Sequence, residues 1–347
     1  MPITIRTGLL LDAFPGQPAN RVGFAAAPGY AGSLTTWPGG GFTGGSVGNP
    51  TIVSGFDFPL PGGVPNINVS NITFVGCRFQ SSAVAGNNVS IVNAQNVVFS
   101  YCSFTPDSTL YAFPPGQSWP SAGAGAQTNV FTAGFNCING NSGYQFGLTF
   151  TNAADGPVTM DHCDIWGFGN AVNFIATTAQ QTLTDCWIHD AADAGPQSYH
   201  TDGPGYLNGG TPPQNIRINH CTIATIGTTN ALAFQAATSA YVNIVVTRNF
   251  FSGFNVCVDM CHDVAASTGL VFTDNIIGTD LPWTNGPLSG SSMFITNGSP
   301  VNVWRRNKFR VLPRTSTIAG QQFSWTAADD NKFILPDGTL STTDYTG

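Results

Sequence analysis

Two of the five histidines and four of the eighteen acidic residues fall in one stretch, Asp185 to Gly210. It reads DCWIHDAADAGPQSYHTDGPGYLNGG and carries His189-Asp190, Asp193 and Tyr199-His200-Thr201-Asp202-Gly203. Asp161 and Asp164 precede it and His220 follows. Glycosidic bonds are cut without a cofactor by two carboxyl groups, one an acid and the other a base or nucleophile. The chain has no glutamate, so aspartates would have to supply both. Asp202 and Asp190 are the first candidates, in either order, with Asp193 or Asp164 as alternatives. His200 would orient or bind. His189, Tyr199, Tyr206, Trp187, Trp166, His220 and Arg248 are candidate substrate contacts, the aromatics by stacking on sugar faces. The plainer reading of the same residues is turn chemistry, in which Asp and Asn satisfy loop backbone and His200 bonds a neighbouring carbonyl.

Those residues interrupt a repeat. NITFVGCRF (71–79), NVVFSYCSF (96–104), VTMDHCDIW (158–166), TLTDCWI (182–188), NIRINHCTI (215–223), NIVVTRNFF (243–251), GLVFTDNII (269–277) and PVNVWRRNKF (300–309) share one pattern. A bulky apolar residue is followed by two variable ones, then Cys or Asn, then a polar or aromatic residue, then Phe or Ile. The Cys/Asn position falls at Cys77, Cys102, Cys163, Cys186, Cys221, Asn249, Asn275 and Asn307. Consecutive spacings run from 23 (Cys163 to Cys186) to 35 (Cys186 to Cys221), and the wider gap before Cys163 leaves room for an extra coil around Cys137. A β-type repeat of this period means a solenoid. Second short strands lie between the repeats: VSIVNA (89–94), AVNFIA (171–176), ALAFQA (231–236), VCVDM (256–260) and MFITN (293–297).

Neighbouring coils of a solenoid stand about 4.8 Å apart, so equivalent residues form columns. Phe79, Phe104, Ile165, Ile188, Ile223, Phe251, Ile277 and Phe309 are expected to form an inward apolar column. The cysteines are expected as free thiols in the core, where Cys packs as a small hydrophobe, and the asparagines as a stacked amide ladder. The preceding residue should point outward: His162, Asp185, His220, Arg248, Asp274, Arg306. Its charges roughly alternate, which reads first as a surface polar ladder and second as part of a groove. Carboxylates one coil apart would stand roughly 5 Å apart, and two coils apart roughly 10 Å, bracketing the separations of retaining and inverting glycosidases.

Composition agrees with strands. Charged residues are 8%, against the usual quarter, and the lysines are Lys308 and Lys332 alone. Without Glu and Lys the ordinary fillers of helix surfaces are missing. The net charge of -7 and pI near 4.9 exclude the basic footprint of a nucleic-acid binder. No apolar run is long enough for a transmembrane helix. MPITIRTGLLLDAFPG lacks the pattern of a signal peptide. Residues 1–65, dense in Gly and Pro, are expected as a cap or an attachment segment; residues 66–310 as the solenoid; residues 311–347 as a C-terminal cap or extension.

Cys257-Val-Asp259-Met-Cys261-His262-Asp263 suggests a metal, but strand alternation scatters its ligands, so a core strand ending in a polar turn is the better reading. No metal or other cofactor is expected. A lyase needs a base and a counter-ion for a uronate; the central coils offer Arg217 and Arg248 and no lysine, so it is the weaker enzyme class. No GxSxG elbow exists for a serine hydrolase.

The repeat over roughly residues 66–310 resembles the right-handed parallel β-helix of the pectate-lyase-like kind. Ile188-His189-Asp190, His200-Thr201-Asp202-Gly203, Gly209-Gly210 and Asn215-Ile216-Arg217-Ile218-Asn219-His220 resemble segments of β-helix proteins from actinobacterial phage tails and of secreted actinobacterial proteins. In those, HTDG leads into IQ; here Pro204-Gly205-Tyr206 follows, so the next strand is altered. The resemblance implies a carbohydrate-facing groove without fixing a reaction. With the missing leader, it points to a minor tail or tailspike protein, in the virion tail or extracellular. Such a protein would bind and hydrolyse a cell-envelope polysaccharide, contact other virion tail proteins and form a homotrimer. A non-catalytic receptor-binding or structural virion protein is the first alternative, and a secreted polysaccharide lyase the second.

Overall fold

The structure is a computed structural model that describes residues 21–59, 66–81, 87–106, 146–150, 156–166, 168, 170–174, 177–189, 202–206, 210–224, 230–234, 239–252, 256–260, 267–278, 292–295, 302–310, 317–318, 329–335 and 338–342. Strands dominate them, and the helical element among them is a single short turn, Phe24–Ala26. The strands fall into three sheets of nine, twelve and nine strands. The first sheet runs from Thr51–Ser54 to Val303–Arg305, the second from Thr35–Thr36 to Leu340–Ser341, and the third from Asn66–Ile67 to Thr317–Ile318. The chain visits first, second and third sheet in turn and then begins again one layer along. Every strand pair among the described residues is parallel except the terminal hairpin of Lys332–Ile334 with Leu340–Ser341. This is the strand arrangement of a parallel β-helix.

Each coil is made by the same local logic. Alternation in the first sheet buries every second side chain, as in Ile72–Val75, Val97–Ser100, Val158–Asp161 and Gln181–Thr184. Two residues then turn the chain into the second sheet. The first is left-handed: Gly76, Tyr101, His162, Asp185, His220, Arg248, Asp274, Arg306 and Asp330 have φ of 52 to 60°. That conformation is uncommon for residues with a Cβ, and its recurrence on every coil makes it the rule of this bend. The second residue, Cys or Asn, is buried, as are all eight members of the expected Phe/Ile column. Side chains from all three sheets join one buried apolar cluster. Equivalent rings stack between coils, Phe58 on Phe79 at 4.8 Å and Phe79 on Phe104 at 5.1 Å.

One expectation changes, and strand pairs extend the ladder at both ends. The ladder reaches beyond residues 66 and 310: Thr51–Ser54 pairs in register with Ile72–Val75, and Lys308–Arg310 with Lys332–Ile334. Nor does an extra coil separate Cys102 from Cys163. Val158 pairs directly with Val97, and the Asp164 N–H donates to the Cys102 carbonyl at 2.9 Å. Residues 107–145, Cys137 among them, lie outside the described residues.

Candidate functional site

The bend between first and second sheets fixes where outward side chains go. On three successive coils the residues that face away from the apolar core beside it are Asp161, His162, Asp164 and Trp166; then Thr184, Asp185, Trp187 and His189; then Asn219, His220 and Thr222, of which Thr222 is fully buried and His189 nearly so. The register Asp164↔Trp187, Trp166↔His189 places the first two coils side by side on the second sheet.

Four residues singled out from sequence meet there. His189 Nε2 lies 2.8 Å from Asp164 Oδ1, with side-chain exposures of 9% and 20%. The Trp187 ring is stacked on the His189 imidazole at 3.5 Å between centroids, and Trp166 lies 6.3 Å from it, nearly parallel. Both indoles are half-buried, so each retains an accessible part beside the acid–imidazole pair. The indole nitrogen of Trp187 is enclosed and makes no hydrogen bond. An acid held by a largely buried imidazole between two indoles can orient a polar ligand while the rings cover its apolar faces.

A second group lines the bend itself. His162 Nδ1 is 2.8 Å from Asp161 Oδ1, and its ring stacks on Tyr101 at 4.6 Å. His220 Nδ1 bonds Asp185 Oδ1 closely, and the Thr184 hydroxyl donates to Asp185 Oδ2 at 3.2 Å. Burial alone would raise the Asp185 pKa, but the hydrogen bond and charge of His220, with the charge of nearby His162, hold it below its ordinary value. Arg248, an expected substrate contact, gives two bonds to Asn219 Oδ1, at 3.0 and 2.8 Å. His162 was legible only as an outward member of the column; its grouping with Asp161 and Asp185 needed the register.

Two other candidates lie in the third sheet and are buried. Asp202 begins a third-sheet strand, Asp202–Tyr206, rather than a loop. It is 1% exposed, and its Oδ1 accepts the Asn230 N–H at 3.0 Å. That ties the carboxylate to the start of the next coil's strand and takes it away from a surface ligand. Tyr206 is also in the core. Its hydroxyl accepts the Gly210 N–H at 2.8 Å, and burial raises its pKa. The residue is 2% exposed. Gly203 and Gly205 sit where a Cβ would collide with the carbonyls of Ala231 and Ala233, so this strand approaches the next coil with no side chain between. Asp190, Asp193, Tyr199 and His200 lie outside the described residues.

The N-terminal segment runs along the side of the sheet. The Gly23 N–H donates to the His162 carbonyl at 2.8 Å and the Phe24 N–H to Ser103 Oγ at 3.2 Å. The Arg78 guanidinium sits 5.4 Å from the Phe24 ring centroid. A Cβ on Gly23, at φ 72°, would come within 2.5 Å of Ser103 Oγ and 2.8 Å of Asp164 Cβ. The segment therefore spans three coils and borders the Asp164–His189 pair on one side.

Comparison with protein-family models, with curated proteins and with solved structures finds no match. Among the described residues no helix is long and apolar enough to cross a membrane.

Proposed function

We propose that this chain is a right-handed parallel β-helix of the phage-tail kind, which engages a neutral or weakly charged cell-envelope polysaccharide on the outer face of its second sheet and hydrolyses it. The observation that carries the reading is the placing of Trp166 and Trp187 around the Asp164–His189 pair. Indole faces suit the apolar faces of sugar rings, and a carboxylate pair is what hydrolysis needs. Asp164 would be one carboxyl, with His189 positioning it. Asp190, next in the chain after His189, would be the other. The charge of -7 suits a glycan that is not strongly anionic. Function in a virion tail or outside the cell, beside other tail proteins and as a homotrimer, belongs to the same reading.

A non-catalytic receptor-binding protein is the second reading, favoured by the burial of Asp202, which withdraws the carboxyl first expected to act. A panel of envelope glycans, assayed for binding, for new reducing ends and for unsaturated products, separates the cases. Trp187→Ala should weaken binding about tenfold or more, the size of effect an aromatic anchor gives. Asp164→Asn should bind but release nothing. Binding by wild type without any release selects the second reading, an unsaturated product selects a lyase, and no binding across the panel removes the polysaccharide.

A further inference from the structure

We propose that Asp161, His162 and Asp185 form a site for one divalent transition ion of the zinc class, on the outer corner between the first and second sheets. The polysaccharide reading does not require this site, and either can fail without the other.

The three residues offer one ligand atom each, all within 4.8 Å of one another. Ligand atoms around a tetrahedral zinc stand roughly 3.3 Å apart at bond lengths near 2.0–2.1 Å, so side-chain rotation of about an ångström closes the set. The backbone beneath is fixed. Asp161 pairs in register with Thr184, and the residues that follow each, His162 and Asp185, share φ 52°. The same bend thus projects both side chains from one corner, one coil apart. The His162 N–H donates to the Thr184 carbonyl at 3.1 Å, and the Asp185 N–H to the Asn219 carbonyl at 3.2 Å.

The ligands also have an outer layer. His220 and Thr184 bond the two oxygens of Asp185, and Tyr101 packs flat on the His162 ring. Such partners orient metal-bound carboxylates and imidazoles. Side-chain exposures are 33% for Asp161, 31% for His162 and 26% for Asp185. An ion can therefore enter, yet is partly shielded from water. Three ligands including an imidazole nitrogen match a transition ion with one coordination position left to solvent. Calcium wants six to eight oxygens, which this corner does not supply.

Later coils supply the contrast. There the acid Asp274 is met by Arg306, with two bonds of 2.6 Å. A guanidinium is a cation and cannot be a ligand. An imidazole can be either, so the same corner chemistry is open to a metal on the coils of His162 and Asp185 and closed to it on those of Asp274 and Arg306.

The test is calorimetric titration of the full chain, stripped with a chelator and dialysed, with Zn²⁺ alone and in a second cell with Ca²⁺ alone. One Zn²⁺ per chain should bind, and Ca²⁺ should bind at least tenfold more weakly. Asp185→Asn and His162→Asn should each weaken Zn²⁺ by about tenfold to a hundredfold or more, because losing even an outer-layer partner has that effect. Asparagine accepts the left-handed conformation, so both variants should keep the wild-type circular dichroism. Asp161→Asn, on a strand, serves should either fail to fold. Asp274→Asn should bind Zn²⁺ as wild type does. Wild type that takes up no Zn²⁺, ligand variants that match Asp274→Asn, or Ca²⁺ that binds as tightly as Zn²⁺ would each overturn the proposal.

Discussion

The same bend is closed by cysteine in the N-terminal coils and by asparagine in the C-terminal ones. Cys77, Cys102, Cys163, Cys186 and Cys221 are buried free thiols. Each sulfur reaches carbonyl oxygens at 3.2 to 3.6 Å, such as Met160 O and Thr184 O for Cys186. Thiols are weak donors and weak acceptors, so these coils rest chiefly on packing. From Asn249 onward the column is a saturated amide ladder. Asn275 Oδ1 accepts both the Asn249 backbone N–H at 2.9 Å and its side-chain amide at 3.0 Å, while Asn275 Nδ2 donates to Val246 O and Asn307 Oδ1. Asn307 and Asn331 repeat it, and Asn249 joins the two halves by accepting the Cys221 N–H at 2.8 Å. One backbone conformation therefore accepts two inward chemistries. A thiol column can lose a member cheaply, whereas a buried polar network is stable only while every member is present.

The largest break in that comparison should come from Asn275→Leu. It strips acceptors from the Asn249 N–H and amide and the donor from Val246 O, all buried. At about 1–3 kcal/mol for each unsatisfied group, partly relieved by local shifts, the variant should lose about 4 kcal/mol in denaturant unfolding. A loss under about 1 kcal/mol would mean that the ladder does not bear the C-terminal coils.

The bend residue itself should matter equally in both halves. Asp274→Val and His220→Val put a β-branched side chain at φ 59° and 55°, and each should cost about 2 kcal/mol. Glycine at the same positions should be within a few tenths of wild type. Unequal valine penalties would show that the halves differ in backbone strain as well as in the inward residue. Cys163→Ala should cost only about 1 kcal/mol, the scale of a small truncation in a packed core. Burial also pushes the thiols of Cys102, Cys163 and Cys221 up, so peptide mapping after alkylation should find them unmodified until the chain unfolds.

The legible parts of this molecule are those that repeat. Alternation and the Cys/Asn spacing located the inward column and the outward residues next to it, because stacking demands one residue type at one place on each coil. Lengths between columns were not legible: the gap from Cys102 to Cys163 has room for a coil, and only strand pairing shows that Val97–Ser100 and Val158–Asp161 are direct neighbours in the ladder. Asp202-Gly-Pro-Gly-Tyr206 reads as a turn from composition. Its glycines are instead required by the carbonyls of the next coil, a tertiary contact that local sequence cannot announce. Asp164, Trp166, Trp187 and His189 were separately legible as candidate site residues, but their meeting depends on the register of two strands.

The smallest effect should come from the ion pair on the surface of the asparagine half. Arg306 grips Asp274 with two short bonds, yet its side chain is 53% exposed and that of Asp274 34%. Water screens such a pair, and ordering a long side chain offsets much of the attraction. Arg306→Gln should therefore cost about 0.3 kcal/mol at low salt, and the difference should vanish near 1 M NaCl, where the screening length falls to about 3 Å. The contrast with Asn275, the inward neighbour of Asp274, is the informative part. Two adjacent residues serve one bend, and the visible charge pair contributes a small fraction of what the hidden amide does. If Arg306→Gln instead cost as much as Asn275→Leu, the C-terminal coils would be held from outside, and the amide ladder would be a consequence of the bend rather than its cause.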